Sequence, residues 1–475
     1  MALVAVAASA QEHICFERRP CVRGVQASRA STRLPDLVQD WDPSRTYRQA
    51  VILVQYADRA FSMKYPKTYY HELLNVTSSN IHGGAGCAVD YFRDQSNGLF
   101  NLQFDVYGPV LVSQSAQSPA RNGNYAEASC REALKKAVDS LHVDFSPYDW
   151  DGDHVVEQII FIMAGYCANG GGSPVASYVW PNTNRVYNEK ITQNLRVDQF
   201  SISAEMWYND HLCGIGTICH EFSHCLGLPD IYPTSGDVFS VADEWDLMDG
   251  GNYTAWGWCP PNYSALEKNL LGWLSLEEIT GSQTVSGLRP VDKGGKAYKM
   301  VGEGNQFYVL ENRQQSGWDS YLPGKGLLIA RVDYDSYQWR SNNVNGKDGM
   351  RYDLLHADGM DYDAWKAYIK ANGLTAYVDT ENRLWRRFLS TSSYPMLTDT
   401  LEVHTCADLP MPLTDIQLSD DGNISFEVLA TGIRPVRTPL SEDAEAWYDL
   451  QGRRLLGRPT RKGLYIHNHQ KECVR

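Results

Sequence analysis

Residues 219–230 read Cys219-His220-Glu221-Phe222-Ser223-His224-Cys225-Leu226-Gly227-Leu228-Pro229-Asp230. On a helix, His220 and His224 leave the same face one turn apart. That spacing suits two nitrogen ligands of a tetrahedral zinc. Glu221, next to the first of them, is placed to touch a zinc-bound water without binding the metal itself. Gly227 can adopt the left-handed conformation that closes a helix, and Pro229 cannot continue one. The chain therefore turns back, and Asp230, six residues past His224, can reach the metal from outside the helix. Two histidines and one carboxylate form a catalytic zinc set that leaves a position for solvent. Ile215, Ile218, Phe222, Cys225 and Leu226 recur at three- and four-residue steps and predict a buried stripe behind the histidines. An ordinary amphipathic helix with two histidines at this spacing is the competing explanation; the Gly-Leu-Pro-Asp continuation argues against it. The run predicts a zinc peptidase.

A second stretch supports this. Glu244-Trp245-Asp246-Leu247-Met248-Asp249-Gly250-Gly251 places a methionine in a glycine-ended turn. Metzincins use the spacing H-E-x-x-H-x-x-G-x-x-H followed by such a methionine turn. Here the spacing is kept and the third ligand position is Asp230. A thioether is apolar and adaptable, so it can floor a metal site without competing as a ligand.

Five further stretches carry a family resemblance: Tyr91-Phe92-Arg93-Asp94-Gln95-Ser96-Asn97-Gly98, Phe104-Asp105-Val106-Tyr107-Gly108-Pro109, Gly214-Ile215-Gly216-Thr217, Leu310-Glu311-Asn312-Arg313-Gln314 and Leu322-Pro323-Gly324-Lys325-Gly326-Leu327-Leu328-Ile329. With the zinc run they make the chain resemble the immune inhibitor A family of metzincin-type metallopeptidases, from about Tyr47 to Val428. The resemblance implies His220, His224 and Asp230 as zinc ligands, Glu221 as catalytic base and Met248 as the Met-turn residue. Tyr253 is a candidate for the tyrosine that sometimes assists in metzincins.

The elements that would position these residues are legible in outline. Ala50–Tyr56 is a continuous β-branched run and predicts a buried strand. Tyr69–Val76, Gly86–Gln95 and Ala126–Leu141 predict helices. Leu99–Val112 predicts strand pairs, and Val155–Ala164 and Gln199–Trp207 predict single strands. The expected fold is an α/β (α+β) metzincin-like catalytic domain over residues 47–274. Beyond it, Ala297–Val301, Gln306–Leu310, Gly326–Ala330 and Ile424–Val428 predict a β-rich domain over 275–431. Trp318 and Trp339 are read there as core, with a substrate-lining role as the alternative. Residues 432–475 predict a linker and two strands in a small C-terminal β domain, which resembles the sorting domain of proteins exported by the type IX route.

Composition narrows the function classes. The chain has 475 residues and a formal charge of −14, which argues against nucleic acid or an anionic membrane as partner. No apolar run reaches the ~18 residues of a membrane span. Residues 1–10, ending in Ala8-Ser9-Ala10, resemble a truncated signal peptide, and 11–46 read as a pro-segment or leader. Cys21, among Arg18, Arg19 and Arg23, is a candidate for capping the zinc in a latent form, against the competing reading of an ordinary cysteine in a basic segment. The eleven cysteines are scattered and contain no C-x-x-C pair, so a few disulfides at most are expected. Asp149, Asp151 and Asp153 have the spacing of half a calcium loop, but the sixth position is His154 rather than glycine; a solvated acidic turn competes with calcium. The expectation is a secreted or cell-surface, monomeric endopeptidase acting on protein or peptide substrates. The alternatives are a surface adhesion or binding protein with a non-catalytic zinc helix, and a zinc amidase acting on non-peptide bonds.

Overall fold

The computed structural model describes residues 34–430, apart from 36, 39, 78–82, 118–125, 171–176, 208–209, 235–239, 347–348, 374–388 and 399–400. Of the remainder it describes Pro459 and four short strands named below. The signal, Cys21 and most of the leader read from the sequence lie outside the described residues. The contacts divide the chain into two units, residues 1–430 and 431–475.

The first unit begins with a mixed sheet. Its strands are β1 (Thr46–Tyr56), β2 (Asn101–Val112), β3 (Val155–Val156), β4 (Ile159–Tyr166), β5 (Asn182–Lys190) and β6 (Arg196–Met206). β1 lies between β2 and β4, and β4 pairs with β6, all in parallel register. β5 runs antiparallel along the other side of β6. The helices between strands, α1 (Pro66–Asn75), α2 (Ala88–Gln95) and α3 (Glu127–Asp139), supply the crossovers that parallel pairing requires.

Both faces of this sheet are covered, which explains why its central strands are continuously apolar. Alternate residues serve opposite cores. Val51 and Leu53 of β1, with Ile160 and Ile162 of β4, face one core with Tyr70 and Leu73 of α1 and Tyr91 and Phe92 of α2. Ala50, Ile52 and Val54, with Ile159, Phe161 and Met163, face the second core with Ala133 and Leu134 of α3.

Helix α4 (Gly216–Cys225) carries the two histidines and packs into the first core through Ile218, Cys219, Phe222 and Cys225. A short helix, α5 (Ala265–Leu270), leads into β7 (Leu276–Glu278), β8 (Gln283–Leu288), β9 (Ala297–Val301), β10 (Gln306–Arg313) and β11 (Gly326–Asp333). β9, β10 and β11 form an antiparallel sheet. One face gives Val309, Leu328, Ala330 and Val332 to the core that α4 also enters. The other face, with Leu310, Leu327 and Ile329, packs on a sheet of β8, 413–418 and 424–428. The segment read as a β-rich domain thus shares a core with the segment that carries the histidines. Trp318 and Trp339 are buried in that shared core. Two helices interrupt the strands there, α6 (Ser336–Arg340) and α7 (Tyr362–Ala371).

Three sequence expectations are corrected. Leu99–Val112 is one long strand, carried past Gly108-Pro109 by a register shift against β1, rather than strand pairs. Val155–Ala164 is broken into β3 and β4. β5 is an additional strand; its polar sequence Asn182-Thr-Asn-Arg-Val-Tyr-Asn-Glu-Lys190 fits an edge and hides the alternation that marks a buried strand. In the second unit, Trp447–Tyr448, Arg454–Leu455, Gly463–His467 and Gln470–Val474 form a four-stranded antiparallel sheet where two strands were expected.

Candidate metal and catalytic site

Glycines let α4 sit where it does. A Cβ on Gly216 would lie 2.1 Å from Asn252 O, and one on Gly214 would lie 2.3 Å from the Gly257 carbonyl. Only residues without side chains allow the start of the helix to press against residues 252–257. At the other end Gly227 has φ +93° and its N–H donates to His224 O at 3.1 Å, the left-handed closure its position requires. The back of the helix is anchored by Phe222, whose ring lies 5.0 Å from Phe92 and 5.9 Å from Phe104.

The opposite face presents His220, Glu221 and His224, all buried. His220 Nδ1 is 2.9 Å from Leu247 O, and His224 Nδ1 is 2.8 Å from Leu228 O. A carbonyl oxygen can only accept, so each Nδ1 is the donor and each ring turns Nε2 toward the site, where it can ligate a metal once it carries no proton. Both Nε2 atoms converge on Asp230 Oδ1, at 3.1 and 3.4 Å. Two ligand atoms each ~2.0 Å from a tetrahedral ion sit ~3.3 Å apart, so these spacings suit a shared zinc. Asp230 Oδ1 is fully buried and has no hydrogen-bond partner. Its other oxygen, Oδ2, accepts from Asn342 Nδ2 at 2.7 Å, and Asp230 N donates to Asn342 Oδ1 at 2.6 Å.

Two carboxylates therefore approach the histidines. Ligand atoms of His220, Glu221 and His224 lie within 4.8 Å of one another, and Asp230 Oδ1 lies 3.1 and 3.4 Å from the two Nε2 atoms. Glu221 Oε2 instead accepts from Thr183 Oγ1 of β5 at 2.8 Å. Among the described residues the only neighbours of Asp230 Oδ1 are the two imidazoles, whereas Glu221 Oε2 is held by Thr183. Two imidazole nitrogens and an unpartnered carboxylate oxygen are the donor set of a divalent transition metal.

The electrostatics agree. Burial lowers the His220 imidazole, but Asp230, Glu221 and the Leu247 carbonyl outweigh it and hold it up at about 9. Burial raises Asp230, yet the two histidines carry it well below the ordinary carboxylate value. Burial is also the largest influence on Glu221 and raises it, against the opposing pull of His220, His224 and Thr183. A carboxyl raised in this way is better matched to taking and returning a proton near neutrality.

Met248 is fully buried; its carbonyl accepts from Ile231 N at 2.8 Å and so ties its turn to the residue after Asp230. The Tyr253 hydroxyl accepts from Asn169 Nδ2 at 3.0 Å and its ring meets Trp207 edge-on. The aromatic beside the histidines is Tyr232, whose ring lies nearly parallel to His220 with centroids 6.4 Å apart. Its place two residues after Asp230 was the available sequence signal. Nothing in the sequence marked Asn342 or Thr183.

Carboxylate oxygens of Asp149, Asp151 and Asp153 do come together. Asp149 accepts from Gly152 N and His154 N, Asp151 from Asp153 N, and Asp153 from Val155 N. An acidic turn stapled by its own amides accounts for this clustering without an ion, and calcium is not supported.

The described residues contain no helix long and apolar enough to cross a membrane. The eight cysteines among the described residues of 34–430 are all buried and free.

Residues 44–273 match the family model of the immune inhibitor A peptidase M6 catalytic domain. The match covers just under half of the chain and contains His220, Glu221, His224, Asp230 and Met248. Immune inhibitor A of Bacillus thuringiensis subsp. alesti is 24% identical over 289 residues, which is 48% of this chain and 41% of that protein. The pre-pro-metalloprotease PrtV of Vibrio cholerae serotype O1 (strain M66-2) is 21% identical over 358 residues, 66% of this chain and 36% of that protein. The chain thus spans about two fifths of the length of the curated relatives it matches.

Proposed function

We propose that the protein is a zinc metalloendopeptidase of the immune inhibitor A type that hydrolyses peptide bonds of protein substrates. The observation that carries this reading is the convergence of His220 Nε2, His224 Nε2 and the unpartnered Asp230 Oδ1, with Glu221 alongside. The match of residues 44–273 to a metallopeptidase catalytic domain supports it. His220, His224 and Asp230 would hold the metal, and Met248 would floor the site in a metzincin-like turn.

Zinc, when bound, supplies Lewis acidity that acidifies a water and polarises a carbonyl. The protein's own residues do the rest. Leu247 O and Leu228 O fix both imidazole tautomers, so that Nε2 faces the metal. Thr183 holds Glu221 Oε2, and the free Glu221 oxygen takes the proton of the attacking water and returns it to the leaving amine. The domain division at 274 and 431, export to a secreted or cell-surface location, a monomeric state and a sorting role for 432–475 belong to the same reading.

Incubation of purified protein with casein tests it. Cleavage should stop on addition of a strong zinc chelator and return with zinc. Cleavage that continues at full rate after the metal has been removed would end the metallopeptidase reading; zinc binding with no cleavage would favour the adhesion alternative.

A further inference from the structure

Asp230 can serve as a ligand only if one of its two oxygens is held toward the imidazoles. The atoms that hold it come from a distant part of the chain. Asn342, just after α6, meets Asp230 twice: Nδ2 donates to Asp230 Oδ2 at 2.7 Å, and Oδ1 accepts from Asp230 N at 2.6 Å. The amide orientation is dictated by its partners, because the backbone N–H can only donate and the carboxylate can only accept. An aspartate at this position would lack the donor and add a like charge. A glutamine would displace the amide by a methylene.

The backbone is built for this contact. Asn342 has φ +52°, in the left-handed region where asparagine is well tolerated. Its N–H donates to Trp339 O, and its carbonyl accepts from Thr234 Oγ1 at 2.9 Å. Three residues on, Asn345 Nδ2 donates to Ile231 O at 2.9 Å. Residues 341–345 thus form a strap over residues 230–234. With Oδ2 and the backbone N–H both occupied by Asn342, Oδ1 is the oxygen left bare against the two Nε2 atoms.

We propose that Asn342 is a positioning residue of the metal site: it clamps the Asp230 carboxylate so that Oδ1 is pre-aimed at the metal, and the strand-rich segment beyond residue 273 therefore completes the site. The inference rests on the metal-site reading above. Partners that orient a ligand typically contribute about ten- to a hundredfold in metal affinity.

The test uses the full chain and zinc, with chelator competition for the dissociation constant and thermal melting of the metal-free protein. Asn342→Gly deletes the amide while keeping the left-handed backbone; Asn342→Asp keeps the shape and removes the donor. Both should weaken zinc binding by about ten- to a hundredfold. Thr234→Val removes a strap bond that does not reach the carboxylate and should bind zinc like the wild type. Zinc affinity within twofold of wild type in Asn342→Asp overturns the clamp. An equal loss in Thr234→Val also overturns it, by showing that the strap acts only on folding. A wild-type chain that takes up no stoichiometric zinc would instead sink the metal-site reading itself.

Discussion

Zinc has to displace the proton that Asp230 and Glu221 hold on His220, and this sets the pH dependence of metal binding. In the metal-free chain His220 is held up from 6.5 to about 9. A group raised in this way adds stability that is complete below about 6.5 and is lost as pH rises through about 9. At ~1.4 kcal/mol per unit the full amount is about 3 kcal/mol. The same attraction depresses Asp230, so it is counted once. For metal binding the proton is a competitor. Apparent zinc affinity should fall about tenfold for each pH unit below about 9, hence about a hundredfold between pH 8 and pH 6. Chelator competition across that range, at fixed ionic strength, measures it. An affinity that changes less than threefold would refute the argument, because the displaced proton would not then be on a ligand.

Three further outcomes follow from the same geometry. Glu221→Gln should bind zinc like the wild type and lose about 10²–10⁴ in kcat/KM on a peptide substrate; cleavage of casein as fast as wild type would remove Glu221 from the base role. Phe222→Ala opens a void among Phe92, Phe100, Phe104 and Trp150 and should cost about 3–5 kcal/mol in denaturant unfolding; a loss below about 1 kcal/mol would mean that α4 is not anchored there. Gly216→Ala puts a methyl 2.1 Å from the backbone oxygen of Asn252 and should both lower the melting temperature and weaken zinc binding; an unchanged protein would show that residues 252–257 yield freely.

The gathering of the candidate residues was legible because it is local. The spacing of His220, Glu221 and His224 and the stop at Gly227-Leu228-Pro229 are properties of one helix and its end, and they gave Asp230 as well. Strands such as 50–56 and 424–428 were legible because burial on one or both faces leaves a mark within five to ten residues. What escaped depends on pairing across long sequence separations. β5 is recognisable as a strand only through its partner β6, since an edge strand need not alternate. The glycine contact between Gly216 and Asn252 is a matter of interatomic distance, not of composition. Asn342 reaches Asp230 from 112 residues away, and no periodicity announces such a partner. Tyr253 was named for its place after Met248; that Tyr232 lies beside His220 is a matter of packing that no sequence spacing announces. The three aspartates at 149, 151 and 153 show the converse: a spacing that suits a cation also suits a turn that satisfies its own amides.

The central claim is tested most directly by diffraction from zinc-loaded crystals at the zinc absorption edge. The account predicts one strong anomalous peak within bonding distance of His220 Nε2, His224 Nε2 and Asp230 Oδ1, with Asn342 still on Asp230 Oδ2. A peak held by Glu221 in place of Asp230, or no peak between the two imidazoles, would contradict it.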